Sequence, residues 1–424
     1  MGMISVVSAA AFAFALGPQS DPAGDRIYGS VTTTDGAHHE GFLRWDRNET
    51  HWADFLDGRK EILREHESEA ERLDDILRAR RQRERSITLP DVRITWDEDD
   101  GVPPATTASA IRFAHLSSLE VRGPRRALLV LTTGDSLELV SGSTDVGPGF
   151  RGLIVEAAVQ RGGTFGAAAA EVELDWGEVA RVDFRSAPPA LAPSSRRLYG
   201  TLRRRSGAEL TGWVAWDVDE AIGTDVLDGE EGSNEVRIPF SDIAEITRES
   251  GSSARIRLAS GRERVLDDSN DVDSSNRGIE VTDAVFGRAV VGWDDFVSLR
   301  FHPRTGAPAS RDAFAAGARL RGTVGAADGR RATGGMRWDN AVEHGWEALH
   351  FTSDGAVMTV ELSHILAIAK GASGARVTLV DGRVLEVEGE GDFRESNRGV
   401  FVEVASGGVV MVPWRDLMTV TLER

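Results

Sequence analysis

The chain has 424 residues, past the roughly 250 to 300 at which one hydrophobic core gives way to several, and its 41% hydrophobic content, 46 glycines and 10 tryptophans describe a folded, turn-rich protein rather than a disordered one. Its 49 Lys and Arg against 68 Asp and Glu leave a net charge of −19, which repels phosphate backbones and anionic lipid and argues against a nucleic-acid partner. Zero cysteines exclude disulfides, thiolate metal sites, a cysteine nucleophile and a lipobox anchor.

The amino terminus carries an uncharged apolar run from Ile4 to Leu16. A membrane-spanning helix needs about 20 residues, so this run is too short, but it suits the core of a secretory signal with Ala11/Ala13 or Ala13/Ala15 as cleavage frames. No Lys or Arg precedes it. Residues 1–16 are therefore expected to be signal-like, the chain periplasmic or secreted, with no stable membrane span after processing.

Three segments then open alike, IYGSV at 27, LYGTL at 198 and LRGTV at 320, and in each a Trp-Asp pair follows the Gly by 16 residues, at Trp45, Trp216 and Trp338. Further on, an Asp stands seven residues before the Gly of an Arg-Gly pair in every copy: Asp145 with Arg151 and Gly152, Asp271 with Arg277 and Gly278, Asp392 with Arg398 and Gly399. Such self-similarity marks a repeat architecture. Units are expected at 17–184, 198–301 and 320–424, joined by Pro/Ala/Ser/Gly-rich linkers.

The first unit alone contains an insertion of about residues 59–86, in which Ile62, Leu63, Ala70, Leu73, Ile76 and Leu77 form a stripe at helical spacing. Its acidic first half and basic second half complement a helix dipole. A helix of about 25 residues is expected, packed across its own barrel; the alternative is a protruding helix that binds a partner.

Elsewhere, stretches such as ALLVLTTGDSLELVSG (127–142), ARIRLASGRERVL (254–266) and ARVTLVDGRVLEVEG (375–389) alternate apolar and polar residues around a Gly-containing turn, the pattern of a half-buried hairpin. Six segments also share a strand, a short polar turn and a second strand, two per unit: 111–121 with 172–184, 236–246 with 290–301, and 357–368 with 409–422. The expected fold is all-β: three tandem units of short bent strands, each with an internal half repeat, plus one inserted amphipathic helix. On the shared pattern LxxG…L…WxDF each unit resembles the SH3-like, Sm-like and PRC-barrel group of small β-barrels found in tandem in exported bacterial proteins. That resemblance implies closed small barrels and an interaction role.

Chemical motifs are scarce. The nucleophile elbow, the phosphate loop, the zinc-protease helix and the dinucleotide fingerprint are all missing from the sequence. Asp271, Asp273 and Ser275 have the alternate spacing of a calcium loop, but Arg394 and Gly147 replace Asp273 in the other copies. What persists is Asp, Arg and Gly, which reads as structural: Asp accepting backbone N–H bonds in a turn, Gly at positive φ, and Arg reaching back to that Asp. The six Trp residues at repeat positions (45, 176, 216, 293, 338 and 414) are expected in cores. Trp52, Trp96, Trp213 and Trp346, outside that register, are candidates for surface stacking, with Trp213 and Trp346 as the platform of a shallow groove.

No catalytic residue, cofactor or metal is expected. The sequence points to a non-enzymatic exported scaffold or interaction module with a protein partner. The alternative is a protein that binds glycan or peptidoglycan of the cell wall through Trp213 and Trp346.

Overall fold

The computed structural model describes residues 22–84, 105–160, 171–305, 309–314 and 317–423. The signal-like segment 1–16, the last residues of the expected helical insertion (85–86) and Trp96 lie outside the described residues. Within them the chain is all-β: 32 strands accompany one long helix, a four-residue helix at Pro22–Asp25 and several 3-10 turns. Among the described residues no helix is long and apolar enough to cross a membrane.

Alternation makes the strands. In Arg126–Leu131 the side chains of Ala127, Leu129 and Leu131 are buried while their neighbours face outward, and in Gly374–Leu379 Ala375, Val377 and Leu379 do the same. Gly134, Gly261 and Gly382 turn the three corresponding hairpins with φ of +91°, +85° and +88°, which glycine adopts without steric cost.

The first unit contains β1 (Tyr28–Thr33), β2 (His38–Arg44), β3 (Phe55–Glu61), β4 (Thr106–Arg112), β5 (Leu116–Val121), β6 (Arg126–Leu131), β7 (Ser136–Val140), β8 (Leu153–Glu156), β9 (Val159–Gln160), β10 (Glu171–Leu174) and β11 (Val179–Phe184). Ten of them pair antiparallel in the order β10-β8-β2-β1-β11-β5-β6-β7-β3-β4. The second unit has the same order, from Gly287–Val291 through Ile279–Asp283, Glu209–Ala215, Tyr199–Arg204, Phe296–Phe301, Ile243–Arg248, Ser253–Leu258, Glu263–Asp267 and Val226–Glu231 to Asn234–Pro239. So has the third, from Val409–Val412 through Val400–Val404, Arg331–Trp338, Arg321–Ala326, Leu417–Leu422, Ile365–Lys370, Gly374–Leu379, Val384–Glu388 and Ala348–Ser353 to Ala356–Glu361.

Each order divides into two groups of five. In the first unit, β4-β3-β7-β6-β5 comes from one continuous stretch, whereas β10-β8-β2-β1-β11 is assembled from both ends of the unit. The groups meet at β11–β5, where Val182 faces Leu119. In each group two strands follow one another across a tight turn, β4 and β5 through the 3-10 turn Phe113–His115, and β10 and β11 through residues 175–178.

The expected closed barrels do not form, because among the described residues the two end strands of each order do not pair with each other. An end strand joins units instead: Gly287–Val291 of the second unit pairs with Ala356–Glu361 of the third, Ala289 opposite Met358, making one sheet of 20 strands. An edge strand exposes unpaired N–H and C=O groups, and a neighbouring edge satisfies them.

The six repeat-position tryptophans are all buried. They meet in pairs, Trp45 with Trp176 at 6.3 Å, Trp216 with Trp293 at 6.2 Å and Trp338 with Trp414 at 5.8 Å between ring centroids, near edge-to-face. Each fully buried ring contributes on the order of 2 to 3 kcal/mol through removed apolar area.

The inserted helix runs over Arg64–Glu84, shorter than expected because residues 59–61 belong to β3. It does not lie on its own unit. Ala70, with no exposed surface, packs on Phe401 and Met411 of the third unit, and Leu73 and Leu77 extend that contact. Glu67 pairs with Arg398 at 3.0 Å, Glu69 pairs with Arg337, and the backbone carbonyl of His66 accepts from Asn340 Nδ2 at 2.8 Å. The outward side of Val400–Val404 and Val409–Val412 is apolar and needs a cover, and the helix brings acids to the two arginines beside it.

Candidate functional site

The recurring Asp, Arg and Gly have defined tasks. Asp145, Asp271 and Asp392 each accept a strand N–H, from Asp57 at 2.6 Å, Asp228 at 2.8 Å and His350 at 2.7 Å. Their main-chain carbonyls accept the indole N–H of Trp45, Trp216 and Trp338. Gly152, Gly278 and Gly399 sit at φ of +127°, +129° and +113°.

The arginines depart from expectation. Arg277 does not reach Asp271; its guanidinium pairs with Asp217 at 2.8 Å, and its main-chain N–H donates to the same carboxylate. Arg151 treats Asp46 likewise at 2.9 Å. Arg398 keeps the main-chain bond to Asp339, but its side chain turns to Glu67 of the helix. Asp271 is already committed to the strand N–H, and the Asp of the Trp-Asp pair lies nearer. Burial, only partly offset by that N–H, pushes Asp271 up to about 7.

A second recurring acid shapes the loops between units. Asp54 accepts from the N–H of Thr50 and His51, Asp225 from Ala221 and Ile222, and Glu347 from Glu343 and His344, at 2.7 to 2.9 Å. The other oxygen of each binds a cation from a different unit: Arg197 for Asp54, Arg44 for Asp225, Lys60 for Glu347. The loops that meet at the junction are thereby held in one geometry.

Between the first and second units, Asp25 and Arg26, residues 194–199, Gly223 and Thr224 of the Asp225 loop, and residues 301–304 line a cavity of about 540 Å³, within the range of small-molecule sites. Its wall includes Arg26, Arg197, Tyr199, Trp213, Phe301 and Arg304. Four arginines line it against one carboxylate, Asp25, so a strongly acidic chain presents a cationic hollow here.

The arginines differ in how they are used. Arg26 is saturated, by Glu156 at 2.8 Å and the carbonyls of Ser195 and Thr50. Arg197 gives its terminal nitrogens to Val214 O, Ala221 O and Asp54, but its buried Nε–H has no acceptor. The Arg304 guanidinium lies 5.1 Å over the Trp213 ring, a cation–π geometry. His51 also packs on Trp213, with ring centroids 3.8 Å apart. Its Nδ1 accepts from Ala53 N–H, which assigns the proton to Nε2; burial, with the nearby arginines, holds its pKa well below the usual value. Burial also raises the Tyr199 hydroxyl above its ordinary range.

Trp213 is therefore a cavity wall, only 4% exposed, and not the surface platform expected. Trp346 is buried to the same extent, stacked on His344 at 5.2 Å, and belongs with Trp213 to the core around the first unit. Both fill junctions between units, which is why they fall outside the repeat register.

A second cavity, about 890 Å³, lies between the second and third units, beside Arg204, Asp354, Arg376 and Glu386. Two ion pairs stand in its wall, Arg204 with Asp354 at 3.0 Å and Arg376 with Glu386 at 2.8 Å.

Sequence reasoning passed over Arg197 and Arg304, and took His51, with His38, His39 and Glu40, for part of a solvated turn rather than a buried group. One signal was present, since Arg26, Arg197 and Arg319 each stand immediately before a unit's opening strand segment. Comparison with known proteins gives no match: no protein-family profile, curated protein or solved structure is similar to this chain.

Proposed function

We propose that the chain is an exported, non-enzymatic binding protein whose first and second units hold a small ligand bearing an anionic group beside a ring. The observation that carries this reading is the lining of the cavity, four arginines against one carboxylate with the rings of Tyr199 and Trp213 beside them. A ligand carboxylate, sulfate or phosphate is the charge such a lining favours. Tyr199 and Trp213 present ring surface to the remainder of such a ligand. One carboxylate in the wall gives no acid pair for hydrolysis, which supports binding rather than turnover. The tandem-barrel resemblance favours an interaction module too, but the helix that would have been its partner surface is engaged by the third unit.

The test is a calorimetric titration of the full chain with sugar acids, aromatic carboxylates and sugar phosphates, each beside its neutral parent. Acidic members are expected to bind and neutral parents to bind at least about tenfold more weakly, with Arg304→Ala weakening the acidic members. Equal binding of acid and neutral forms, or no binding across the series, refutes the proposal.

A further inference from the structure

Away from the cavity, the first unit buries three acids together. Asp46 follows Trp45, Glu49 ends the same tight turn, and Asp145 arrives from the loop before β8; each offers an oxygen within 4.8 Å of the others, and all three are buried. Asp46 accepts from Arg151, Asp145 from the Asp57 N–H, and Glu49 Oε1 from Asn48 Nδ2. Glu49 Oε2 is buried and has no hydrogen-bond partner. Three carboxylates against the one guanidinium bonded to them leave a deficit of two positive charges.

In the second unit an amide enters the same place, although Glu220 Oε2 there is also without a hydrogen-bond partner. Its counterparts are Asp217, Glu220 and Asp271, and the amide of Asn270 reaches between two of them, 2.5 Å from Asp217 Oδ2 and 3.5 Å from Asp271 Oδ1. The first unit has Thr144 at that position, whose hydroxyl lies 3.4 Å from Asp145 Oδ1 and does not bridge to Asp46 or Glu49. In the third unit the Glu position is Val342, so the fold itself does not require the third acid.

We propose that Asp46, Glu49 and Asp145 form a binding site for a divalent cation of the calcium type, filling in the first unit the place that the Asn270 amide takes in the second. All-oxygen ligation selects a hard cation. Calcium–oxygen distances of about 2.3 to 2.6 Å put opposite ligands about 4.6 to 5.2 Å apart, whereas magnesium draws them to roughly 4.2 Å. The three oxygens lie within 4.8 Å of one another, close enough for one such ion to bridge them. A double positive charge also balances the excess, and the unpartnered Glu49 oxygen gains a ligand.

Trp45 supplies the readout, since its indole N–H bonds the Asp145 carbonyl at 3.1 Å and can sensitise terbium held by the three acids. The full chain, stripped with chelator, is titrated with terbium chloride in 0.15 M KCl under tryptophan excitation, then with calcium as competitor. One saturable emission phase displaced by calcium is expected. Glu49→Gln, and independently Thr144→Asn, which installs the second unit's amide, should each raise the dissociation constant at least about tenfold, with circular dichroism unchanged. Absence of saturable emission from the native chain, or emission that survives Thr144→Asn in a folded protein, overturns the proposal; the latter places the ions on the acidic surface.

Discussion

Glu220 gives the sharpest quantitative expectation. It closes the turn after Trp216, its N–H bonded to the Trp216 carbonyl at 2.9 Å, and its Oε2 is buried without a partner. Burial first, then the charges of Asp271, Asp219 and Asp217, push its pKa from 4.5 up to about 9. A raised folded-state value means that the proton stabilises the fold. Below pH 4.5 both states hold it; above, the unfolded chain ionises while the folded one does not, and stability falls by about 1.4 kcal/mol per pH unit until about pH 9. Glu220→Gln removes this dependence. Whatever the pH-independent effect of the amide, the stability of the variant relative to the native chain should grow by roughly 3 kcal/mol between pH 4.5 and pH 7. For a transition in which all 424 residues melt together, that is about 3 °C in Tm, and more if the second unit melts by itself. Scanning calorimetry of both proteins at pH 4.5, 6 and 7.5 measures it. A difference that stays constant across these values refutes the burial argument.

Three further outcomes are expected. A double-mutant cycle between Asp217 and Arg277 should give a coupling of about 0.5 to 1 kcal/mol, modest because the arginine is half exposed, while a cycle between Asp271 and Arg277 gives none; urea melts decide between them. Ala70→Asp places a charge against Phe401 and Met411 and should release the helix, so that hydrogen exchange in residues 64–77 accelerates at least about tenfold while the cores around the tryptophan pairs stay protected; unchanged protection would mean that the contact does not hold the helix. Burial alone would raise Glu361, but Arg112 and His115 outweigh it and hold the carboxyl at about 2. Its stabilisation is therefore complete above about pH 4.5 and lost as pH falls toward 2; Glu361→Gln should flatten that acid limb of a pH-dependent melt, and an unaltered limb would assign it to other acids.

Local pattern carried much of this fold. Hairpins such as 127–142 follow from alternation around one glycine, and the tryptophan cores follow from recurrence at equal offsets, because both depend on residues close in sequence or repeated in register. The partner of Arg277 was also within reach: Asp46, Asp217 and Asp339 recur as faithfully as the arginines, and pairing two recurrent columns would have found it. The destination of the helix was not, since an apolar stripe states that it needs a cover without saying which surface provides one. Closure of the strands was equally illegible, as alternation sets which face is buried but leaves the fate of the end strands to their neighbours. The cavity arises from an arginine, a tryptophan and a loop that lie close only once two units dock, and of the buried acids of the first unit Asp145 stands far along the chain from Asp46 and Glu49.

The crossing helix also has a temporal consequence. Residues 64–77 leave the ribosome early, yet Phe401 and Met411, on which Ala70 rests, come about 330 residues later. At roughly 5 to 20 residues per second, the apolar stripe waits about 15 to 65 s for its cover. During that interval the first unit is a molecule with an unfinished surface, and only synthesis of the last hairpin strands makes it complete.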